Sequence, residues 1–195
     1  MKFTTAFTAA SAAALVSASP LGTAPTDTKI KAGDVFSIMA LRSASDIHFA
    51  SLQAANSGFL LNTSKQNASC SENVNYASFR LTDAGELFLN TENPPQQAFL
   101  DRSGMGQGVF RYTNGVQGPT RNGEVIGFTL DENSNLVFKD RTGKENGFQA
   151  CPGALPSGYS VWLDTNQNPG GNQNCLLFSA RAVKQDKPVT CSYTN

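Results

Sequence analysis

The sequence predicts an all-β domain, and three observations point that way. Apolar and polar residues alternate at a period of two over short runs rich in Val, Ile, Leu, Phe and Tyr. Asn- and Gly-bearing turn pairs separate those runs. No segment carries the i, i+3, i+4 apolar spacing of a long amphipathic helix. In chain order the runs are 35–41, 47–52, 59–61, 78–81, 86–89, 98–100, 109–112, 126–130, 136–138, 159–163, 176–182 and 189–193. Asp83-Ala84-Gly85, Asn114-Gly115, Asn122-Gly123, Asn133-Ser134-Asn135, Asn146-Gly147 and Pro169-Gly170-Gly171 mark the turns. Residues 51–57 have room for one helical turn.

A weak internal repeat refines the architecture. Residues 77–88 resemble residues 126–137, each reading strand, polar turn, strand, and each followed by an apolar strand, a Gly-bearing loop and an aromatic strand. A degenerate earlier copy lies in 36–49. Three such units suit a β-trefoil, and a two-sheet β-sandwich fits the same strand count. The expectation is one compact domain over residues 34–195, trefoil-like and stapled by disulfides, after a flexible Pro/Thr/Gly-rich lead-in at 19–33.

Residues 1–18 read as a secretory signal peptide. Lys2 supplies the positive start, an apolar stretch too short to cross a bilayer runs through Leu15 and Val16, and small residues precede an expected cut after Ala18. No later segment is apolar and long enough for a membrane helix, and the polar C-terminus lacks a glycolipid-anchor signal, so no membrane anchor is expected. The chain has 15 basic and 15 acidic residues, and losing Lys2 leaves about one net negative charge. With no basic stripe, nucleic acid is not an expected partner. Charged residues make up 15% of the chain, against roughly 25% in ordinary soluble domains. Asn, Gln, Ser, Thr and Gly fill the gap, as on many extracellular surfaces.

Export changes how the cysteines and Asn triplets read. Cys70, Cys151, Cys175 and Cys191 are even in number and expected to be oxidised. Four cysteines allow three pairings. The one expected here joins Cys151 to Cys175, stapling neighbouring strands, and Cys70 to Cys191, tying the last strand to the first third of the chain. A metal site is not expected, since no CxxC spacing occurs and His48 is the sole histidine. Asn62-Thr63-Ser64 and Asn67-Ala68-Ser69 satisfy the N-glycosylation triplet and mark an exposed polar loop, whereas Asn93 is followed by Pro94.

The search for catalysis finds little. A Ser-His-Asp set has His48 as its one candidate base, and no nucleophile elbow is present. Asp83, Glu86, Asp101, Asp131, Asp140 and Asp164 offer carboxylate pairs for glycoside cleavage, but most adjoin turn residues, where Asp serves the backbone. Asp101-Arg102-Ser103-Gly104-Met105-Gly106-Gln107-Gly108 looks like a phosphate loop but leads into a strand, so its glycines read as a tight connection and, secondarily, as a candidate binding loop. Trp162 lies in an alternating strand and is expected in the core rather than on a sugar-binding surface. No catalytic residue and no cofactor are expected.

Several segments together resemble the PhiA-type cell wall proteins of filamentous fungi, a family named for phialide development. They are Asn67-Ala68-Ser69-Cys70, the run Asp101 to Gly108, Ala150-Cys151-Pro152, Val161-Trp162, Asn168-Pro169-Gly170-Gly171-Asn172 with Cys175, Ala180-Arg181 and Cys191-Ser192-Tyr193-Thr194. The resemblance covers most of residues 36–195; the lead-in has no matching counterpart and 142–147 looks like a longer loop. It implies a small secreted wall glycoprotein linked to phialide and conidium formation, with relatives described as IgE-binding allergens. Asn67 would carry a glycan, the four cysteines would be structural, and cell wall polysaccharide or other wall components would be the partners. The leading expectation is therefore a non-enzymatic wall glycoprotein acting in asexual development. Behind it stand a secreted carbohydrate-binding or inhibitory module acting on an external partner, and a cryptic glycosidase.

Overall fold

The computed structural model describes Met1 and residues 29–115, 117–154 and 157–194. The rest of the expected signal peptide, and the lead-in before Lys29, lie outside the described residues. Strand β1 (Val35–Leu41) buries Phe36, Ile38 and Ala40. The chain then reverses, and residues 50–52 return along β1: Ala40 N–H donates to Ala50 O and Leu52 N–H to Ile38 O, both at 2.8 Å. This turn replaces the strand expected over 47–52, because Phe49 adopts φ 65°, outside any strand conformation. The helical turn expected in 51–57 is replaced by a hairpin of β2 (Gln53–Ala55) and β3 (Gly58–Leu61). Its two linking residues, Asn56 and Ser57, take φ 52° and 56°, the conformation a type I′ turn demands.

The remaining strands are β4 (Ser69–Cys70), β5 (Ser78–Leu81), β6 (Leu87–Leu89), β7 (Ala98–Asp101), β8 (Val109–Tyr112), β9 (Gly123–Glu124), β10 (Phe128–Leu130), β11 (Asn135–Lys139), β12 (Glu145–Asn146), β13 (Phe148–Pro152), β14 (Tyr159–Leu163), β15 (Leu176–Lys184) and β16 (Cys191–Ser192). A 3₁₀ turn spans Pro169–Gly171. The domain is all-β. Its main sheet runs in the order β6-β5-β1-β15-β13-β14-β3-β8-β7-β9, with the β10–β11–β12 group joined to β15 through β11. A bridge between Phe88 and Gln97, with Leu89 N–H donating to Gln96 O at 2.9 Å, brings the β6 end against β7. The sheet therefore curls until the β6 end reaches the start of β7. β15 is its spine, pairing with β13 through its first residues and with β1 and β11 farther along. A second, two-stranded sheet joins β4 to β16.

The two clear sequence repeats fold alike. In β5–β6, Leu81 faces Leu87; in β10–β11, Leu130 faces Leu136. Each five-residue turn closes with the same bonds, Thr82 N–H to Glu86 O and Asp131 N–H to Asn135 O, both at 2.9 Å. The β11–β12 turn repeats the pattern from Asp140 to Lys144. The fourth turn residue is left-handed in all three: Gly85, Ser134 and Gly143. The first residue accepts the N–H of the fifth, through Thr82 Oγ1, Asp131 Oδ1 and Asp140 Oδ1. The earliest unit keeps only the plan of strand, reversal and return, with a longer turn.

Phenylalanine fills the interior. Phe36 stacks on Phe79, Phe79 meets Phe59, and Phe59 and Phe110 lie 4.1 Å apart between ring centroids. Phe110 continues to Phe128 and Phe148, and Phe128 to Phe138. All seven rings are at most 2% exposed, and burying a ring of this size stabilises by about 1.5–3 kcal/mol.

The C-terminal segment closes this core. Val189, Cys191 and Tyr193 are buried at alternate positions. Gln96 clamps Tyr193 through both amide atoms, Oε1 accepting from Tyr193 N–H and Nε2 donating to Tyr193 O, each at 3.0 Å. Tyr112 O–H donates to Thr194 O, and Tyr193 Oη accepts from Ser78 N–H at 3.0 Å. Cys191 sits opposite Cys70 in the β4–β16 pair and is bonded to it, with Cα atoms 4.0 Å apart. The other disulfide joins Cys151 in β13 to Cys175, just before the neighbouring β15. No free cysteine remains.

The bridges differ in reach, 121 residues against 24. In the chain-entropy account their losses destabilise by about 5 and about 3.5 kcal/mol respectively. The Cys70→Ser/Cys191→Ser variant is expected to melt about 10–20 °C lower than the parent, and lower than Cys151→Ser/Cys175→Ser. The reverse order in calorimetry would show that the C-terminal segment holds by its clamps alone. Burial pushes the Tyr193 hydroxyl up to about 12, and raises Tyr112 as well. An unfolded tyrosine ionises near pH 10, so above that pH the unfolded state binds fewer protons than the folded one. Stability is then whole below pH 10 and falls as pH rises through about 12. The urea midpoint is expected to decline across that window; a flat profile would mean that both hydroxyls are wet.

Candidate functional site

Three features foreseen in the sequence can be placed: the sequon loop, the glycine-rich connection and the isolated histidine. The sequon loop runs from the end of β3 to β5. Gln53 holds its start, exchanging two 2.9 Å bonds with the backbone N–H and O of Thr63. Gln66, also buried, donates to Tyr76 O at 3.0 Å, and Asn75 spans the loop by accepting from Gln66 N–H and donating to Ser64 O. The Cys70–Cys191 bond pins its middle. Both sequon asparagines are exposed and left-handed, Asn62 at φ 57° and Asn67 at φ 53°. Asn62 Nδ2 donates to Asp46 O at 2.8 Å. Asn67 makes no side-chain hydrogen bond among the described residues, which leaves its amide open to a bulky substituent.

The connection from Asp101 to Gly108 links β7 to β8 and is organised from within. Asp101 is buried, and its Oδ1 accepts from Ser103 N–H at 3.0 Å. Ser103 Oγ accepts from Gly106 N–H, and Gly108 N–H closes the turn on Asp101 O at 2.7 Å. A Cβ on Gly106 would collide with the Asp101 carboxyl, and Gly108 sits at φ 91° against Leu163. These two glycines are thus required by close approach and backbone sign. Gln107 reaches out: its Oε1 accepts from Asn166 Nδ2 and from Gly170 N–H. Arg102 donates to Thr165 Oγ1 and lies 3.7 Å from Glu124. The loop's polar groups are largely engaged inside the protein. Gly104 lies in open space, and Met105 is 90% exposed at the tip.

The other candidates divide. The Asp131 carboxylate caps the N–H groups of Asn133 and Asn135, and Asp140 caps Thr142 and Lys144. The hydrogen bond from Thr142 lowers the Asp140 pKa. For Asp131, burial raises it but the bonds from Asn135 and Asn133 outweigh that, and the net direction is down. Glu86 accepts from Gln97 Nε2. His48 Nδ1 accepts from Arg42 N–H at 3.1 Å, and the ring contacts neither a serine hydroxyl nor a carboxylate by hydrogen bond among the described residues. Trp162 departs from expectation. Val161 and Leu163 are buried, whereas Trp162 faces outward and half-buried under Gly170, its Nε1 bonded to Ser160 Oγ. One concavity, about 840 Å³, is an open groove between residues 29–32 and the 82–85 and 126–134 stretches. Among the described residues no group of three His, Cys, Asp or Glu is placed to hold a metal.

Sequence reasoning missed the glutamine clamps and the exposure of Phe49. The clamps leave no local pattern, since each pairs residues far apart. For Phe49 the neighbouring Ser43-Ala44-Ser45-Asp46 was the available sign of a turn.

Comparison with known proteins agrees with this architecture of export and stapling. A family model described as PhiA-like secreted protein matches residues 36–194. Cell wall protein phiA of Emericella nidulans is 37% identical over 189 residues, covering 95% of this chain and 98% of the relative. Its namesake in Aspergillus niger is 35% identical over 191 residues, covering 97% and 96%. That of Aspergillus fumigatus is 38% identical over 189 residues, covering 95% of each. No solved structure matches. The chain belongs to the PhiA-like secreted protein family and is a secreted protein of the cell wall.

Proposed function

We propose that the protein is a non-catalytic glycoprotein building block of the fungal wall, acting during phialide and conidium formation. The observation that carries the non-catalytic part is the employment of its carboxylates. Asp101, Asp131 and Asp140 each accept backbone N–H bonds from their own turns. A carboxylate so engaged holds the chain's shape, and at Asp131 and Asp140, whose pKa values are lowered, it is a poor proton donor. The glycoprotein part rests on Asn62 and Asn67, both on the surface of a loop anchored by the longer disulfide. The developmental part rests on the resemblance to the phialide family. Cleavage after Ala18 delivers Ser19 as the mature N-terminus.

A tagged copy in a filamentous fungus tests each part. Walls extracted with detergent, then reductant, then glucanase are expected to release the protein only at a later step. Edman reading should begin at Ser19, and glycosidase treatment should lower the mass by at least one N-glycan. Deleting the gene should reduce phialides and conidia, with rescue by a copy carrying Asp101→Asn and Asp131→Asn. Failure of that copy to rescue, with its fold intact, would restore the glycosidase reading. Release by detergent alone would overturn stable residence in the wall.

A further inference from the structure

Phe49 combines two unfavourable features. Its ring is 64% exposed, so it forgoes burial, and its backbone stands at φ 65°, where a bulky side chain crowds its own carbonyl. Strain of this kind persists where surrounding structure enforces it and where a function uses it. Here Phe49 N–H donates to Ala40 O at 2.8 Å and Ala50 N–H to Ile47 O at 3.0 Å, while Ile47 is fully buried beneath. The His48 ring lies beside that of Phe49, with centroids 3.8 Å apart and planes 31° apart. The bond from Arg42 N–H to His48 Nδ1 sets its orientation. The result is a fixed two-ring surface facing water.

Polar groups adjoin it. Asp46, on the same turn, accepts from Tyr159 O–H through Oδ2 and from Asn62 Nδ2 through its backbone O, both at 2.8 Å. The β3–β14 pairing sets Tyr159 opposite Leu61, next to Asn62. Asp46 Oδ1 accepts no hydrogen bond among the described residues. A flat aromatic face beside a carboxylate and a phenol matches a pyranose ring, which has an apolar C–H face and a rim of hydroxyls. The near balance of charge in the mature chain, about one net negative, favours a neutral polymer over a strongly charged one.

We propose that the His48–Phe49 surface, with Asp46 and Tyr159, binds a neutral β-linked pyranose chain of the wall, Phe49 stacking on one sugar. This rests on the protein's residence in the wall and names its partner there. The test is depletion binding of the purified mature protein to insoluble β-glucan and to chitin, which separates the two sources of such chains. Wild type should bind at least one saturably. Phe49→Ala and Phe49→Gly should weaken binding roughly tenfold or more, and Phe49→Trp should keep it. Ile126→Ala, removing an equally exposed apolar side chain at 61%, should leave it unchanged. Glycine relieves the left-handed strain, so Phe49→Gly should melt no lower than the parent while losing sugar. A structural role for Phe49 predicts the reverse, a lower Tm with binding intact. No saturable binding by wild type, or equal binding by Phe49→Gly, overturns the site even if wall residence stands. Binding lost in Phe49→Gly supports it even where wall extraction gives detergent release.

Discussion

The return of the C-terminal segment into the curled sheet is the constraint on which the rest of this structure depends. A sheet rolled from strands of two to nine residues has many weak joints, and its ends touch through few bonds. The segment carrying Val189, Cys191 and Tyr193 supplies what those joints lack. It fills the opening with apolar side chains, its Tyr193 hydroxyl accepts the Ser78 N–H, and its own backbone is met by the Gln96 side chain at Tyr193 and by the Tyr112 hydroxyl at Thr194. Cys70 then fixes it covalently to a loop that has almost no regular structure of its own. Two-residue strands such as β4 and β16 are marginal by themselves; the bond between them makes their pairing permanent under oxidising conditions.

Secretion gives this arrangement its logic. With few charges, the protein has little use for buried ion pairs, and it meets buried backbone groups with glutamine instead. Gln53, Gln66, Gln96 and Gln149 are all at most 5% exposed, and each bonds to main-chain atoms. A carboxamide carries the same donor and acceptor as a peptide group, so it completes a ladder where the chain itself has turned away. Such bonds do not titrate, and they hold in an environment whose pH the cell does not control.

That use of glutamine also shows where sequence reading ends. Abundant Asn and Gln read as a mild polar surface, and the asparagines of the sequon loop do lie there, but the glutamines are scaffolding. Strands with clean alternation, β1, β5, β8 and β14, were legible to the residue because one face of each is core. The pairing of Cys151 with Cys175 was expected from their nearness in the chain, and the structure sets Cys151 in β13 beside the start of β15. Strands β4, β9 and β12 are too short to carry a period, and β13 ends in Pro152 with cysteine and glutamine within it, so none announces itself. Trp162 read as core from its strand, yet the register Val161-in, Trp162-out, Leu163-in puts the largest side chain outside. Pattern gives the period of a strand but not its phase when both neighbours and the residue itself are apolar.

The stiffness of this scaffold bears on the turn at Phe49. A left-handed aromatic residue in a mobile loop would relax by rotating its backbone, and the ring would find cover. In this protein relaxation is blocked on both sides: Ala40 gives and accepts a bond across the turn, Leu52 is tied to Ile38, and Ile47 is seated in the core. Moving Phe49 would break the bonds on the edge of β1 that faces away from the spine strand β15. A ring held this way loses little freedom when it meets a flat partner, so contact free energy is not consumed in ordering it. The strain at one residue and the over-determined frame around it are therefore one design, in which rigidity built for endurance outside the cell also presents a binding surface ready-made.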